Sequence, residues 1–235
     1  MHVRFNVWIM LGMRLNWPLR TVCMMRARWL AALLIALPMA SAPADEAVFT
    51  PTDVIDWAPH SFTGDTDYAL SPTDEGEVLV ADCREGTASG LFYRESIDLT
   101  QTPVIEWRWR VLDPISAGDP ETKAGDDYAA RIYAVDEHAI LRWRTRALNY
   151  VSTTRQPKGA DWANRYASQA RMIAVDNAGG QADGWQTHRR NLREDFQRFH
   201  DREVDTIEAL AIMTDCDDTG ETARAQYGTI RLRPE

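Results

Sequence analysis

Between Val104 and Val111 the chain reads Val-Ile-Glu-Trp-Arg-Trp-Arg-Val, apolar and charged residues alternating with a period of two. Only an extended strand sends successive side chains to opposite faces, so this run predicts a sheet with one buried and one wetted face. Trp107 and Trp109 share a face with Ile105 and Val111 and are expected in the core. Runs of strand length recur at 77–81, 90–93, 128–135, 147–151, 171–175, 184–192, 207–213 and 225–232. Turn formers separate them, as at Asp113-Pro114, Gly118-Asp119-Pro120 and Asn177-Ala178-Gly179-Gly180. Helical periodicity is scant; its clearest instance is Leu192 to His200, where Phe196 and Phe199 stand at i, i+3. Many short strands with one short helix imply an all-β chain, a two-sheet jelly-roll β-sandwich. Neither repeats nor linkers interrupt the pattern, so residues 45–235 read as a single β-sandwich domain.

The N-terminal segment obeys a different grammar. Arg26 and Arg28 precede an uncharged apolar run from Trp29 to Leu37; Pro38 and small residues follow, ending in Ala42-Pro43-Ala44. Charge, apolar stretch and small-x-small site are the three parts of a secretory signal, so residues 1–44 read as a signal peptide cut before Asp45. Residues 1–23 fit that grammar poorly, and a start at Met24 or Met25 gives a signal of ordinary length. The expected location is therefore periplasmic or secreted. The apolar run falls short of the ~20 residues a spanning helix needs, so no stable membrane insertion is expected after cleavage.

Five of the 26 basic residues and none of the 35 acidic ones lie in residues 1–44, so removing that segment takes the formal net charge from −9 to −14. Such a surface repels phosphate backbones, which argues against a nucleic-acid partner and suits neutral or cationic ligands. Two cysteines remain, Cys83 and Cys216. An exported chain permits a disulfide between them, and sequence alone leaves the bridged and free states both open.

Two stretches hold residue types suited to a site. In Gly125-Asp126-Asp127-Tyr128-Ala129-Ala130-Arg131-Ile132-Tyr133, a strand would line Asp127, Ala129, Arg131 and Tyr133 along one face and Tyr128, Ala130 and Ile132 along the other. A carboxylate, a guanidinium and a phenol in a row fit a polar ligand groove, or equally a solvated ion pair. In Met213-Thr214-Asp215-Cys216-Asp217-Asp218-Thr219-Gly220-Glu221, acids crowd a strand end. Asp215, Asp217 and Asp218 are candidate ligands for calcium through hard oxygen donors, although Asp and Gly are also ordinary turn formers and the spacing is not that of an EF-hand. Trp143, Trp162 and Trp185 lie near loops, where indoles either stack on sugar rings or pack. His60, His138, His188 and His200 are isolated, with no H-x-x-x-H, and the chain has no G-x-S-x-G, phosphate-binding loop or dinucleotide fingerprint.

Taken in order, these segments resemble a bacterial exported family known as "domain of unknown function 3047", from about Phe49 to Leu232. The matching positions are Trp107 and Trp109; Asp126, Asp127, Arg131 and Tyr133; Arg146, Asn149 and Tyr150; Met172, Ala174 and Val175; Trp185, Asp195 and Phe199; Thr214, Asp215, Asp217, Thr219, Gly220 and Glu221; and Tyr227-Gly228. Ser152 stands where the family usually has Trp, which would narrow a stacking surface, and Cys216 and Asp218 replace its usual Thr and Asn. The resemblance implies a sandwich similar to galactose-binding-like domains, and it implies no activity.

Periodicity and family positions together nominate Asp127, Arg131, Asn149, Asp215 and Asp217 as a ligand-binding site. The leading expectation is an exported binding domain for a polar ligand such as a sugar or envelope glycan. One alternative is a polysaccharide-active hydrolase or lyase using two carboxylates, Asp127 with Asp215 or Asp217. Another is a structural envelope-assembly protein in which the polar cluster is only a brace.

Overall fold

The computed structural model describes residues 46–178 and 184–235. The signal segment 1–44, the alternative starts and the cut before Asp45 lie outside the described residues, as does part of the 177–180 turn. The strands are β1 (Ala47–Phe49), β2 (Ala58–Thr63), β3 (Asp67–Thr73), β4 (Gly76–Cys83), β5 (Ala88–Tyr93), β6 (Ile97–Asp98), β7 (Val104–Asp113) and β8 (Arg131–Asp136). They continue as β9 (Arg146–Thr153), β10 (Asp161–Ala163), β11 (Ala170–Asn177), β12 (Gln186–Asn191), β13 (Thr206–Ile207), β14 (Ala209–Asp215) and β15 (Ala223–Arg233). Among the described residues the α-helices are α1 (Pro51–Val54) and α2 (Leu192–His200), with single 3-10 turns at Lys123–Gly125 and Arg142–Arg144.

Two sheets form a jelly-roll β-sandwich. The first runs β12-β7-β15-β4-β3, with β1 also on β15, and the second runs β10-β11-β9-β8-β14-β5-β2. Ladder pairs are antiparallel except β11 with β9. β7 buries Ile105, Trp107, Trp109 and Val111 and turns Glu106, Arg108 and Arg110 outward, as its period of two requires. Opposite it, Ile132, Ala134, Leu148, Tyr150, Leu210 and Ile212 of the second sheet face the same core. Trp107 meets Tyr150 across the interface with ring centroids 5.3 Å apart.

A register shift in β15 between Tyr227 and Ile230 lets both residues face inward. Gly228 lies inside that bulge, where a Cβ would come within 2.6 Å of the Arg108 side chain. The Tyr-Gly pair therefore has a local cause: the Tyr reaches into the core, and the Gly leaves room for the arginine that lies over it. α2 spans the nine residues its periodicity predicts; the Asn191 side chain caps the amides of Arg193 and Glu194, and Asp201 closes the helix in the left-handed region at φ 50°.

The structure shifts one expected boundary. β8 begins at Arg131, and residues 126–130 are not strand, so the even–odd faces assigned from Asp127 onward do not hold there. Tyr128 packs with Val151, Trp162, Met172 and Ala174 on the outer side of the second sheet, on the same side as Arg131 rather than opposite it. The weakly patterned strands β1, β2, β3 and β10 carried no clear alternation in sequence.

Cys83 and Cys216 are bridged, with Cα atoms 6.1 Å apart and a sequence separation of 133. The bond ties the end of β4 in one sheet to the residue after β14 in the other. For a loop of this length the chain-entropy model gives roughly 4–5 kcal/mol of stabilisation. Replacing both cysteines (Cys83→Ala with Cys216→Ala) is expected to lower the unfolding free energy in urea by about that amount, and a reductant to have the same effect on the parent protein alone.

Candidate functional site

β8 and β14 pair from Val135–Ala209 to Arg131–Met213 and then part. Backbone groups exposed by the divergence must find other partners, since buried unpaired amides cost about 1–3 kcal/mol each. Tyr227, crossing the core from the first sheet, supplies two of them: its hydroxyl accepts Arg131 N–H at 3.2 Å and donates to Met213 O at 2.7 Å. Thr214 Oγ1 donates to Ala129 O at 2.8 Å. The Tyr227 hydroxyl and Thr214 Oγ1 thereby bridge the diverging backbones, and beyond them Asp215 N–H reaches Tyr128 O at 3.3 Å.

Arg131 is 3 % exposed. Its Nη2 donates to Asp215 Oδ2 at 2.7 Å and to Asp126 O at 2.8 Å, and its Nη1 donates to Tyr133 Oη at 2.8 Å. The guanidinium lies 4.4 Å from the Tyr128 ring centroid. The second Asp215 oxygen accepts Tyr128 N–H at 2.9 Å. Burial is the largest single influence and works against the charge on Arg131, but Asp215 together with Tyr133, Asp126 and Tyr128 overcomes it and holds the guanidinium protonated above its ordinary range.

Beside this pair the outer face of the second sheet carries a cavity of about 470 Å³, lined among others by Asp126, Arg131, Tyr133, Asn149, Asn164 and Asp215, with Asp217 and Asp218 at the strand-end loop. Three of its side chains are buried yet incompletely bonded. Asp126 Oδ1, Arg131 Nε and Asn149 Oδ1 have no hydrogen-bond partner among the described residues, and their residues are no more than 4 % exposed. Native interiors rarely leave such groups unpaired unless something else completes them. Phe62 and Tyr166, both more than half exposed, bring aromatic surface to the same cavity.

Of the five nominated residues, Arg131, Asn149, Asp215 and Asp217 line the cavity. Asp127 does not. Its carboxylate turns to the 217–219 loop, accepting Asp218 N–H, Thr219 N–H at 2.6 Å and Thr219 Oγ1–H at 2.6 Å. The expected cation set also changes. Asp215 has both oxygens occupied by Arg131 and Tyr128, and the acids whose oxygens fall within 4.8 Å of one another are Asp127, Asp217 and Asp218. With Asp127 bound to the loop amides, this trio offers a calcium ion far fewer protein oxygens than its usual six to eight.

Several cavity residues carried no sequence signal. Asn164 and Tyr166 sit in the loop after β10, where Asn164 Nδ2 donates to Asp126 Oδ2 at 2.6 Å and Asn164 Oδ1 accepts the amides of Tyr166 and Ala167. Only the side chain–backbone turn chemistry of an Asn two residues before a Tyr hints at that fixed loop. None of the three loop tryptophans lines the cavity. Trp162 is buried near Tyr128, Trp143 is exposed, and Trp185 stacks under Arg108 of the first sheet. Ser152 also lies elsewhere: its hydroxyl donates to Asp176, which holds Trp109 Nε1, so the missing indole at 152 does not narrow this cavity.

Burial raises the Asp126 carboxyl above its ordinary range, opposed by Arg131 and the Asn164 amide. Asp218 is likewise raised, first by burial and then by the neighbouring Asp217 and Asp127 carboxylates, against a hydrogen bond from Tyr166. That bond, with some burial, pushes the Tyr166 phenol up to about 12.

The fold and this cavity define a class: an all-β sandwich with a built polar recess on the outer face of one sheet. Residues 55–231 match the family described as "Protein of unknown function (DUF3047)", and the chain belongs to that family. No curated protein matches the sequence. Among solved structures the chain is similar to the family 11 carbohydrate-binding module of cellulosomal cellulase Lic26A-Cel5E of Clostridium thermocellum, at 10% identity and a TM-score of 0.46, covering 83% of this chain and 97% of that one. It is similar to the family 30 carbohydrate-binding module of cellulase Cel9D-Cel44B of the same organism at 9% identity and a TM-score of 0.43, covering 77% and 96%. It is also similar to the glycoside hydrolase domain of Endo-D from Streptococcus pneumoniae R6, at 10% identity and a TM-score of 0.39 over 75% of this chain, and spans 21% of that chain.

Two stability outcomes follow from the geometry. Asp127→Ala removes the acceptor for three donors of the loop and is expected to lower stability by about 2–4 kcal/mol, read from urea unfolding. Asp126→Asn should do the opposite. A carboxyl raised in the folded state contributes most below its unfolded pKa and loses that contribution as pH rises through its folded pKa. The amide carries no such penalty, so Asp126→Asn is expected to raise the melting temperature by a few degrees at neutral pH, the gain disappearing as pH falls below the ordinary carboxylate range.

Proposed function

We propose that this DUF3047 domain is an exported binding module for a hydroxylated ligand, a sugar or an envelope glycan, held in the cavity on the outer face of the second sheet. One observation carries the reading: three residues that line the recess hold buried polar atoms without partners among the described residues, and the same recess presents aromatic rings. A sugar matches that arrangement, because its hydroxyls both donate and accept while its ring faces stack on phenyl or phenol surfaces. Its hydroxyls would donate to Asp126 Oδ1 and Asn149 Oδ1, Arg131 Nε would donate to a ligand oxygen, and Phe62 and Tyr166 would flank it. Arg131 and Asp215 then serve as fixed framework, and Asp127 orders the loop that brings Asp217 and Asp218 to the rim.

The hydrolase or lyase reading loses two of its three named acids, and with Asp127 it loses both of the pairs. Asp215 is buried against Arg131, and Asp127 is committed to backbone amides, so neither is free as an acid or base at a scissile bond. The brace reading holds for Asp127 but leaves the unpartnered atoms of Asp126, Arg131 and Asn149 unexplained.

Screening the purified protein on a glycan array, followed by calorimetry on the best ligand, tests the proposal. Asn149→Ala and Tyr166→Ala are each expected to weaken binding about tenfold or more, a loss of about 1.4 kcal/mol, while leaving the melting temperature near that of the parent. Affinity unchanged in both variants would place any binding elsewhere.

A further inference from the structure

The charges and unpaired atoms of the cavity are not symmetric. Asp126, Asp215, Asp217 and Asp218 line it, and among the described residues the single lining cation is Arg131, already paired to Asp215. Asp217 has no hydrogen bond or ion pair to its carboxylate among the described residues. Two of the three buried atoms left unpaired are acceptors, Asp126 Oδ1 and Asn149 Oδ1. A group that brings several donors, no acceptor and a positive charge satisfies this set better than a hydroxyl does, and a primary ammonium is such a group.

Resting on the binding reading above, we propose that the ligand is an amino sugar with a free amine, its ammonium held by Asp126, Asn149 and Asp217 at the acidic side of the cavity. The remaining unpaired donor, Arg131 Nε, takes a ring or hydroxyl oxygen of the same sugar. Tyr166 supplies the aromatic flank, and its ring already accepts a cation: Lys123 Nζ lies 4.7 Å from its centroid. An N-acetylated sugar fits less well. It replaces the charged donor group with an amide whose carbonyl oxygen would face the unpaired acceptors, and like-signed dipoles in a desolvated site repel. A neutral glucan brings donors without charge and leaves the three rim and floor carboxylates uncompensated.

The test is calorimetry on the purified full protein at mildly acidic pH with three matched probes and a metal arm. The probes are the β-1,4 tetramer of glucosamine, the corresponding N-acetylglucosamine tetramer and cellotetraose; calcium chloride alone is the fourth. The glucosamine tetramer is expected to bind at least tenfold more tightly than either other sugar, with affinity falling as salt is raised. Asp217→Asn should reduce that preference about tenfold, and Asp126→Asn, which the stability argument expects to fold at least as well as the parent, should do the same. Equal affinity for all three tetramers, or tightest binding of the N-acetylated one, would overturn the amino-sugar assignment and leave the binding reading standing. A glucosamine preference that survives both variants would also overturn it, because it would reflect the overall acidic surface. Heat from calcium alone, with no sugar bound, or no binding of any probe, would overturn assignment and binding reading together.

Discussion

The Arg131 guanidinium and the Asp215 carboxylate lie almost wholly out of water, and the surrounding architecture is what makes their burial tolerable. Removing two charges from water is expensive, and their attraction compensates only when the remaining donors and acceptors are met. Here most of the requirement is met from four directions, Tyr128 N–H on Asp215, Asp126 O and Tyr133 Oη on Arg131, and Tyr227 on the Arg131 backbone from the opposite sheet, and Arg131 Nε is left without a partner among the described residues. The Cys83–Cys216 bond ties the residue next to Asp215 to the first sheet as well. Packing between the sheets, the strand divergence and the ion pair therefore depend on one another. Removing either charge alone would leave the other buried and unpaired.

That rigid framework is incomplete on its outer side. Asp126, Arg131 and Asn149, which line the cavity, each keep a side-chain atom with no partner among the described residues. Burial raises the carboxyls of Asp126 and Asp218, so the site holds acids in an environment that disfavours their charge. Sites that bind are places where a fold accepts local instability, and the ligand then restores what the protein alone lacks. The acidic loop adds to this. Asp127 holds its backbone through Asp218 and Thr219, and Asp217 beside them has no partner among the described residues.

Much of the fold was legible in the sequence because its central strands are amphipathic. The alternation through Trp107 and Trp109 and the helix at Leu192–His200 translate directly into β7 and α2. Strands β1, β2, β3 and β10 were not: β2 is exposed along its whole length, β1 and β10 are three residues long, and β3 buries no residue fully, so none carries a long alternation. For the site, Arg131, Asn149, Asp215 and Asp217 were recoverable from residue type and family position. The faces around Asp127 were misassigned because the strand starts four residues later, and a period of two cannot be extended through irregular backbone. Asn164 and Tyr166 come from a loop brought beside Asp126 by tertiary folding, and no local pattern encodes that approach. The disulfide was open in sequence for the same reason: its partners, at a sequence separation of 133, are brought together only by the sandwich.

The central claim is that the unpaired atoms on the outer face of the second sheet are the contacts of a sugar-type ligand. Side-chain resonances report on them directly, since the Arg131 Nε–H and the Asn149 and Asn164 amide groups are visible in nitrogen-15 spectra of the labelled protein. Titration with oligosaccharides is expected to give saturable shifts concentrated on those three side chains and on the amides of Asp217 and Asp218, with the sheet interior around Trp107 unchanged. Saturable shifts that leave Arg131, Asn149 and Asn164 unmoved while appearing elsewhere would contradict that claim.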